Sequence, residues 1–444
     1  MLQGYRAEIL LVPEDPKIHG AEAVRHHPDG LLVVEDGLVA ALGDYAALAP
    51  TYPGLAVQAF PGKLLTQGFV DIHVHYPQVG RIAAHGAQLL DWLDTHIFPA
   101  EAAFADRAYA DEAAAFFLDE MLRNGSTSAL VYGTVHAASI DALFEAALTR
   151  GMRIVSGKVL MDQDAPEALR DTVESGRAES EALIARWRGR GRIGYAVTPR
   201  FALTSSDAQL ASAGALLAAH ADVMLHTHLA ENRDEVAAVA RRFPQAQDYL
   251  DVYDRFGLVG PRSVFAHCIH MEDHALQRMA GAGAAVAFCP TSNLFLGSGL
   301  FDLARAEAHG VRVGIGTDIG AGTSFSVLHT IGEAYKVCQL QGLSLDPFRA
   351  LYLATTAGAR MLGSGVLAVG DAADFVVLDP SPTSLLARRC KDASLREKLF
   401  ALQILGDDRA VAHCFVAGRR AYSRDGVAAL GPIGQAGLRT SPGP

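Results

Sequence analysis

Cysteine is scarce: the five present, Cys268, Cys289, Cys338, Cys390 and Cys414, are far apart and form no CxxC pair. An odd, scattered set argues against a disulfide framework and against a thiolate zinc site, and points to the cytoplasm. Basic charge is also in deficit, with 38 Lys and Arg against 49 Asp and Glu and a formal net charge of −11. That balance disfavours attraction to phosphate backbones or anionic lipid, so neither nucleic acid nor membrane is expected as a partner. Long apolar runs are missing too. AAAFF at 113–117 falls well short of the roughly 20 residues that cross a bilayer. The opening MLQGYRAEILLVPEDP lacks the basic start, longer apolar run and small-residue cleavage site of an export signal. A soluble chain is expected.

What remains is ordinary globular composition, 50% apolar and 20% charged over 444 residues, long enough for one large domain with a satellite. From residue 68 onward, short β-branched runs alternate with longer Ala-rich amphipathic stretches, the pattern of βα units around a parallel sheet. The strand candidates are 68–75 (GFVDIHVH), 127–133, 153–160, 193–198, 223–228 (VMLHTH), 263–267, 284–289 and 311–317. Between them, Asp106 is expected to precede a helix stopping near Gly125, and Ser205 to open one ending near His220. Eight units favour a closed (β/α)8 TIM-like barrel over an open doubly wound sheet. Outside this block the pattern changes. Residues 30–42 read as a hairpin turning at Asp36-Gly37, and 373–379 and 411–416 as further strands. The expected organisation is a barrel over 67–362 and a small β-sandwich domain composed of 1–66 and 363–444.

The residues that carry chemistry fall at the ends of these strands. His73 and His75, two apart on the first, share a face. His228 and Glu231 follow the fifth, His267 ends the sixth, and Gly316-Thr317-Asp318 follows the eighth. Each pattern alone reads as well as satisfied polar residues. Together they occupy the C-terminal face where such barrels build active sites, which favours a metal centre. Three histidines with a carboxylate suit zinc, with iron as the alternative, and leave a position for water whose pKa would fall from about 15.7 toward 7. Attack on an amidine-like ring carbon also needs a proton donor and a base, and Glu231 and Asp318 are the available carboxylates.

PGKLLTQGFVDIHVH (61–75), HLAENRDE (228–235), AHC (266–268), FCPTSN (288–293), GIGTD (314–318) and GVLAVGDAADFVVLDP (365–380) resemble the amidohydrolase superfamily and, within it, the deaminases that act on guanine. The resemblance covers nearly the whole chain. It implies one zinc ion held by His73, His75, His228 and Asp318, with His267 beside the metal-bound water or just beyond ligand distance. It further implies that Glu231 shuttles a proton to the purine ring and that Asp318 takes the proton of the attacking water. Guanine contacts map onto Gln78, Arg200 and Phe201, with His228 and Glu231 also against the substrate. An amide, a guanidinium and a flat ring suit a planar polar base. The implied reaction is hydrolytic deamination of guanine to xanthine and ammonia, by a homodimer.

The long connection 76–105, with LLDWL and FPAE, is expected to cover the pocket. His85, His96, His136 and His270 read as ordinary polar residues or pocket lining rather than ligands. Lys158, on the third strand, is assigned no role as a carbamylated metal bridge. His270-Met271-Glu272 matches the HxE element of another zinc-deaminase class, but no PCxxC follows it. The rival readings are a related enzyme for another amino-heterocycle (8-oxoguanine, an adenosine derivative, cytosine or an aminotriazine) and a non-catalytic scaffold.

Overall fold

The computed structural model describes residues 2–86 and 88–426. Met1 and 427–444, which the expected composite domain includes, and Ala87 in the long connection lie outside the described residues. The first strands are β1 (Leu2–Leu11), β2 (Arg25–Glu35), β3 (Leu38–Asp44) and β4 (Val57–Gln67). Strands β2 and β3 pair antiparallel about Asp36 and Gly37, both at positive φ (50° and 89°). A tight two-residue turn requires that backbone, and Asp and Gly tolerate it. The barrel strands follow: β5 (Phe69–His75), β6 (Ser126–Tyr132), β7 (Arg153–Gly157), the short β8 (Val159–Leu160), β9 (Gly194–Pro199), β10 (Met224–Leu229), β11 (Ser263–His267), β12 (Ala285–Phe288) and β13 (Arg312–Ile315). Then β14 (Phe375–Leu378), β15 (Val411–Val416) and β16 (Arg419–Ser423) return to the first group.

Eight parallel strands run β5-β6-β7-β9-β10-β11-β12-β13, with β8 paired to β9 as a continuation of the third unit. All eight coincide with the strand candidates read from the sequence. The ends of this ring meet just beyond β13, where the Asp318 N–H donates to the His73 carbonyl (2.8 Å) and the His75 N–H to the Ile319 carbonyl (3.0 Å). The helix Arg107–Arg123 is capped by Asp106, whose side chain accepts from the Ala108 and Tyr109 N–H groups. The helix expected from Ser205 is Asp207–Ala219, and its cap is Ser206, accepting from the Gln209 N–H. Ser205 instead points its backbone N–H at Ala202, so the helix begins one residue later.

The chain ends join in one seven-stranded mixed sheet, ordered β16-β15-β14-β4-β1-β2-β3. Alternation divides its side chains between two cores. Leu10, Leu64, Val376, Leu378 and Cys414 join the large core shared with the barrel helices. Tyr5, Ile9, Phe60, Phe375 and Phe415 form a separate aromatic cluster on the other face, in which Phe375 and Phe415 stack 4.3 Å apart. Among the described residues, no helix is long and apolar enough to cross a membrane.

Candidate active site

Alternation along β5 places Asp71, His73 and His75 on one face, pointing into the mouth of the barrel. His228 comes from β10, His267 ends β11, and Asp318 lies three residues past β13. His267 and Asp318 both hold positive φ (70° and 52°), a backbone that costs side-chain-bearing residues energy and that clusters at functional sites. Gly316 is needed for close approach here. A Cβ on it would sit 2.8 Å from the His73 Cβ and 2.9 Å from the Cys289 Sγ.

The side chains converge. The Nε2 atom of His75 is 3.3 Å from that of His73 and 3.3 Å from that of His228. Asp318 Oδ1 lies 3.2 Å from His73 Nε2 and 3.3 Å from His75 Nε2. These are poor hydrogen bonds, but they match a metal cage: atoms about 2.0–2.1 Å from a tetrahedral ion lie roughly 3.3–3.4 Å from one another. His267 Nε2 stands to one side, 3.8 Å from Asp318 Oδ2 and 3.4 Å from Glu231 Oε2, buried and without a hydrogen-bond partner. Cys289 is also within reach of His73 and Asp318. Burial raises its thiol pKa, and Sγ donates to the Ala287 carbonyl, so it is a protonated neighbour of the cage.

Outer contacts set which imidazole nitrogen is free. His228 Nδ1 donates to the Arg200 carbonyl (2.7 Å) and His267 Nδ1 to Asn293 Oδ1 (2.8 Å), leaving each Nε2 lone pair facing the centre. His73 Nδ1 lies 2.7 Å from His226 Nε2 and does the same. His75 differs. Gln78 Nε2 is 3.0 Å from its Nδ1, an orientation that matches a proton on His75 Nε2. Ligation through that atom goes with the amide turned over, its oxygen accepting from Nδ1. Burial keeps His73, His75, His226 and His228 neutral, with pKa values pushed well below the usual imidazole range. Neutral imidazoles are the ligating form.

The acids move the other way. Burial, with the nearby Asp318 charge second, raises Glu231 to about 8, so it carries its proton at neutral pH. Burial also raises Asp318. Beneath His73, Asp71 accepts from the His73 N–H (3.2 Å), the Thr317 N–H (3.0 Å) and the Thr317 hydroxyl, and burial lifts it to about 7. Glu235 is buried against the Glu231 and Asn232 N–H groups and the Tyr249 hydroxyl.

Gln78, Arg200, Phe201, His228, Glu231, His267 and Asp318 line one cavity, with His75 at its base. His73 lies just behind them, fully buried. The metal, catalytic and substrate-contact residues expected from the sequence therefore all lie at or beside one cavity. The long connection 76–105 supplies a wall through Leu89, Trp92 and Leu93. Lys158 is elsewhere, buried against Asp171 (2.7 Å) and Glu179 (3.1 Å). His96 and His270 bond to the carbonyls of His85 and Ser298.

Four participants were not read from the sequence. His226 precedes His228 at the spacing that flags His73 and His75, and Asp71 continues the same alternation backwards, so both carried a usable signal. Ser298, whose hydroxyl donates to Glu231 Oε1 (3.1 Å), and Glu101, which pairs with Arg200, carried none.

A model of the amidohydrolase family matches residues 64–421. The chain is 49% identical over 411 residues to the guanine deaminase of Escherichia coli K12, covering 91% of this chain and 94% of that protein. The solved E. coli guanine deaminase superposes with a TM-score of 0.93 at 47% identity, over 95% of this chain and all of the other. A guanine deaminase from C. acetobutylicum, solved with guanine in its active site, gives a TM-score of 0.87 at 27% identity, over 95% of this chain and 100% of that one.

Proposed function

The chain belongs to the amidohydrolase family, and from that premise we propose that its cavity deaminates guanine hydrolytically, yielding xanthine and ammonia. One observation carries this reading: His75, His228 and Asp318, with His73 directly behind them at cage spacing, share a cavity with a carboxyl whose pKa burial raises and a guanidinium beside a flat ring. The high identity to named guanine deaminases over nearly the whole chain supports the substrate.

His73, His75, His228 and Asp318 would hold a single zinc ion, with iron as the alternative. Such an ion supplies Lewis acidity and water activated at neutral pH. The remaining chemistry belongs to the side chains. Asp318 divides its oxygens, Oδ1 toward the imidazole cage and Oδ2 toward His267. Oδ2 is thus placed to take a proton from water, and His267 Nε2 to hold that water by a hydrogen bond. Glu231, protonated at pH 7, donates to the ring nitrogen beside C2 and is oriented by Ser298. Phe201 offers a face for stacking, and Gln78 and Arg200 supply donors for the edge of the base. Leaving ammonia then takes up the proton held on Asp318, and the C2 hydroxyl returns a proton to Glu231 as it becomes the carbonyl of xanthine.

Ammonia release from guanine by purified protein, with metal content measured alongside, tests the reading. One zinc per chain with stoichiometric xanthine is expected. Metal-replete protein that deaminates other amino-heterocycles and leaves guanine untouched would overturn it. We also propose a cytoplasmic homodimer; a monomeric mass in sedimentation would contradict the oligomeric part.

A further inference from the structure

Arg200 is 2% exposed and Glu101 fully buried. Nη1 of the guanidinium donates to both carboxylate oxygens of Glu101, at 2.9 and 2.7 Å, and the Phe98 ring lies 5.3 Å from the guanidinium carbon. Phe98 and Glu101 both belong to one short helix, Phe98–Ala102, within the long connection after β5. The same carboxylate accepts from Gln78 Nε2 (3.1 Å). That bond belongs to the amide orientation of this structure and is lost when the amide turns over for ligation by His75, so the anchor that persists is the one to Arg200. Of the two terminal guanidinium nitrogens, Nη1 is committed to it, and Nη2 has no acceptor among the described residues. Arg200 lines the cavity, so an open donor is left beside it.

We propose that Glu101 is a positioning residue for substrate specificity: it fixes Arg200 so that its remaining donor meets the ring carbonyl of an oxo-purine. This rests on the deaminase reading above and adds to it a residue that touches neither metal nor base. The chemistry favours the role over simple charge neutralisation. A buried guanidinium needs a counter-charge wherever it sits. A carboxylate that takes two hydrogen bonds from one guanidinium nitrogen, from a separate segment that also sets the Phe98 ring beside it, fixes orientation as well. A site built to hydrogen-bond a carbonyl penalises a ring without one, because its buried donors are left unpaired.

The test uses full-length, metal-loaded protein and two ligands: guanine, and 2-aminopurine, which lacks the ring carbonyl. Metal content is measured for each variant. E101Q keeps the shape and loses the charge. It should raise KM for guanine roughly 10- to 100-fold with kcat within about threefold, and weaken 2-aminopurine, by KM or inhibition constant, less than about threefold. E101D keeps the charge on a shorter arm, and an intermediate rise confined to guanine is expected; it also serves if E101Q does not fold. Because Glu101 acts through Arg200, adding E101Q to R200K should cost less than about threefold more. Equal losses for both ligands, effects that multiply in the double variant, or loss of metal from E101Q would each overturn the proposal. Wild-type protein inert toward guanine would sink the underlying deaminase reading instead, whereas active wild type with an unaffected E101Q sinks only this inference.

Discussion

His75, His228 and Asp318, with His73 behind them, are brought to the cavity from the ends of barrel strands on short side chains, whereas Trp92 reaches it, and Phe98 and Glu101 back its Arg200, from helical pieces of one long connection. The strand-borne side is set by alternation and parallel register: once the ring forms, the imidazoles have one place to go. The connection-borne side depends on tertiary pairing, Glu101 with Arg200 across 99 residues and Trp92 Nε1 with the Ala84 carbonyl (3.1 Å). The lesson concerns division of labour. Chemistry common to many substrates sits where the scaffold is rigid, and selection among substrates sits where loops vary.

The sharpest way to break this contrast is to remove a strand-borne ligand. H228A should lose metal and more than about 10³-fold in kcat, read by metal analysis and ammonia release, since the nucleophile depends on the ion. A variant that kept both would place the chemistry elsewhere. Next, E231Q should retain metal and lose roughly 10²–10⁴-fold in kcat, the usual worth of a positioned proton donor. With its carboxyl raised to about 8, wild-type kcat/KM should fall as pH rises through that value, and E231Q should flatten this limb.

A smaller effect separates the cage from the rest of the fold. In chelated protein, Asp71, Glu231 and Glu235 have folded values of about 7, 8 and 7, above ordinary values of 3.8 and 4.5. Each binds its proton more tightly when folded, so its contribution to stability is full below about pH 4 and is lost as pH rises through 7 to 8. Thermal denaturation of metal-free protein from pH 5 to 8 should show this component as a fall in Tm on the order of 5 °C, with metal-loaded protein much less sensitive. The smallest effect on turnover is expected from the chain-end sheet. F375A should cost about 3–5 kcal/mol of stability in denaturant melts, with kcat per folded molecule unchanged; altered kcat would show that the aromatic cluster under the sheet communicates with the cavity.

The same division explains what the sequence allowed to be read. The eight barrel strands, the hairpin at Asp36-Gly37 and the clustering of His73, His75, His228, His267 and Asp318 rest on short-range periodicity or spacing. The ends β1 and β4 were harder. Strand β1 drew notice only for lacking a leader's features, and β4 contains Pro61-Gly62, which reads as a break; its pairing with β1 does shift register between Ala59 and Leu64. Glu101 was visible as a letter in FPAE, but its meaning depends on an arginine with no local relation to it. Ser298 likewise became relevant only through the loop that brings it to Glu231. Asp71 and His226 were legible in principle, two residues before His73 and His228, and needed only the alternation carried one step further.

The backbone bond from Asp318 to the His73 carbonyl joins the first and last of the proposed ligands at the point where the ring of strands shuts. During synthesis a nascent chain presents two imidazoles early, but the cage is incomplete until more than two hundred further residues have emerged and wrapped round. A cation captured then acts as a clasp. It rewards only the fully wound arrangement, and its affinity adds directly to the work needed to spring the ring apart.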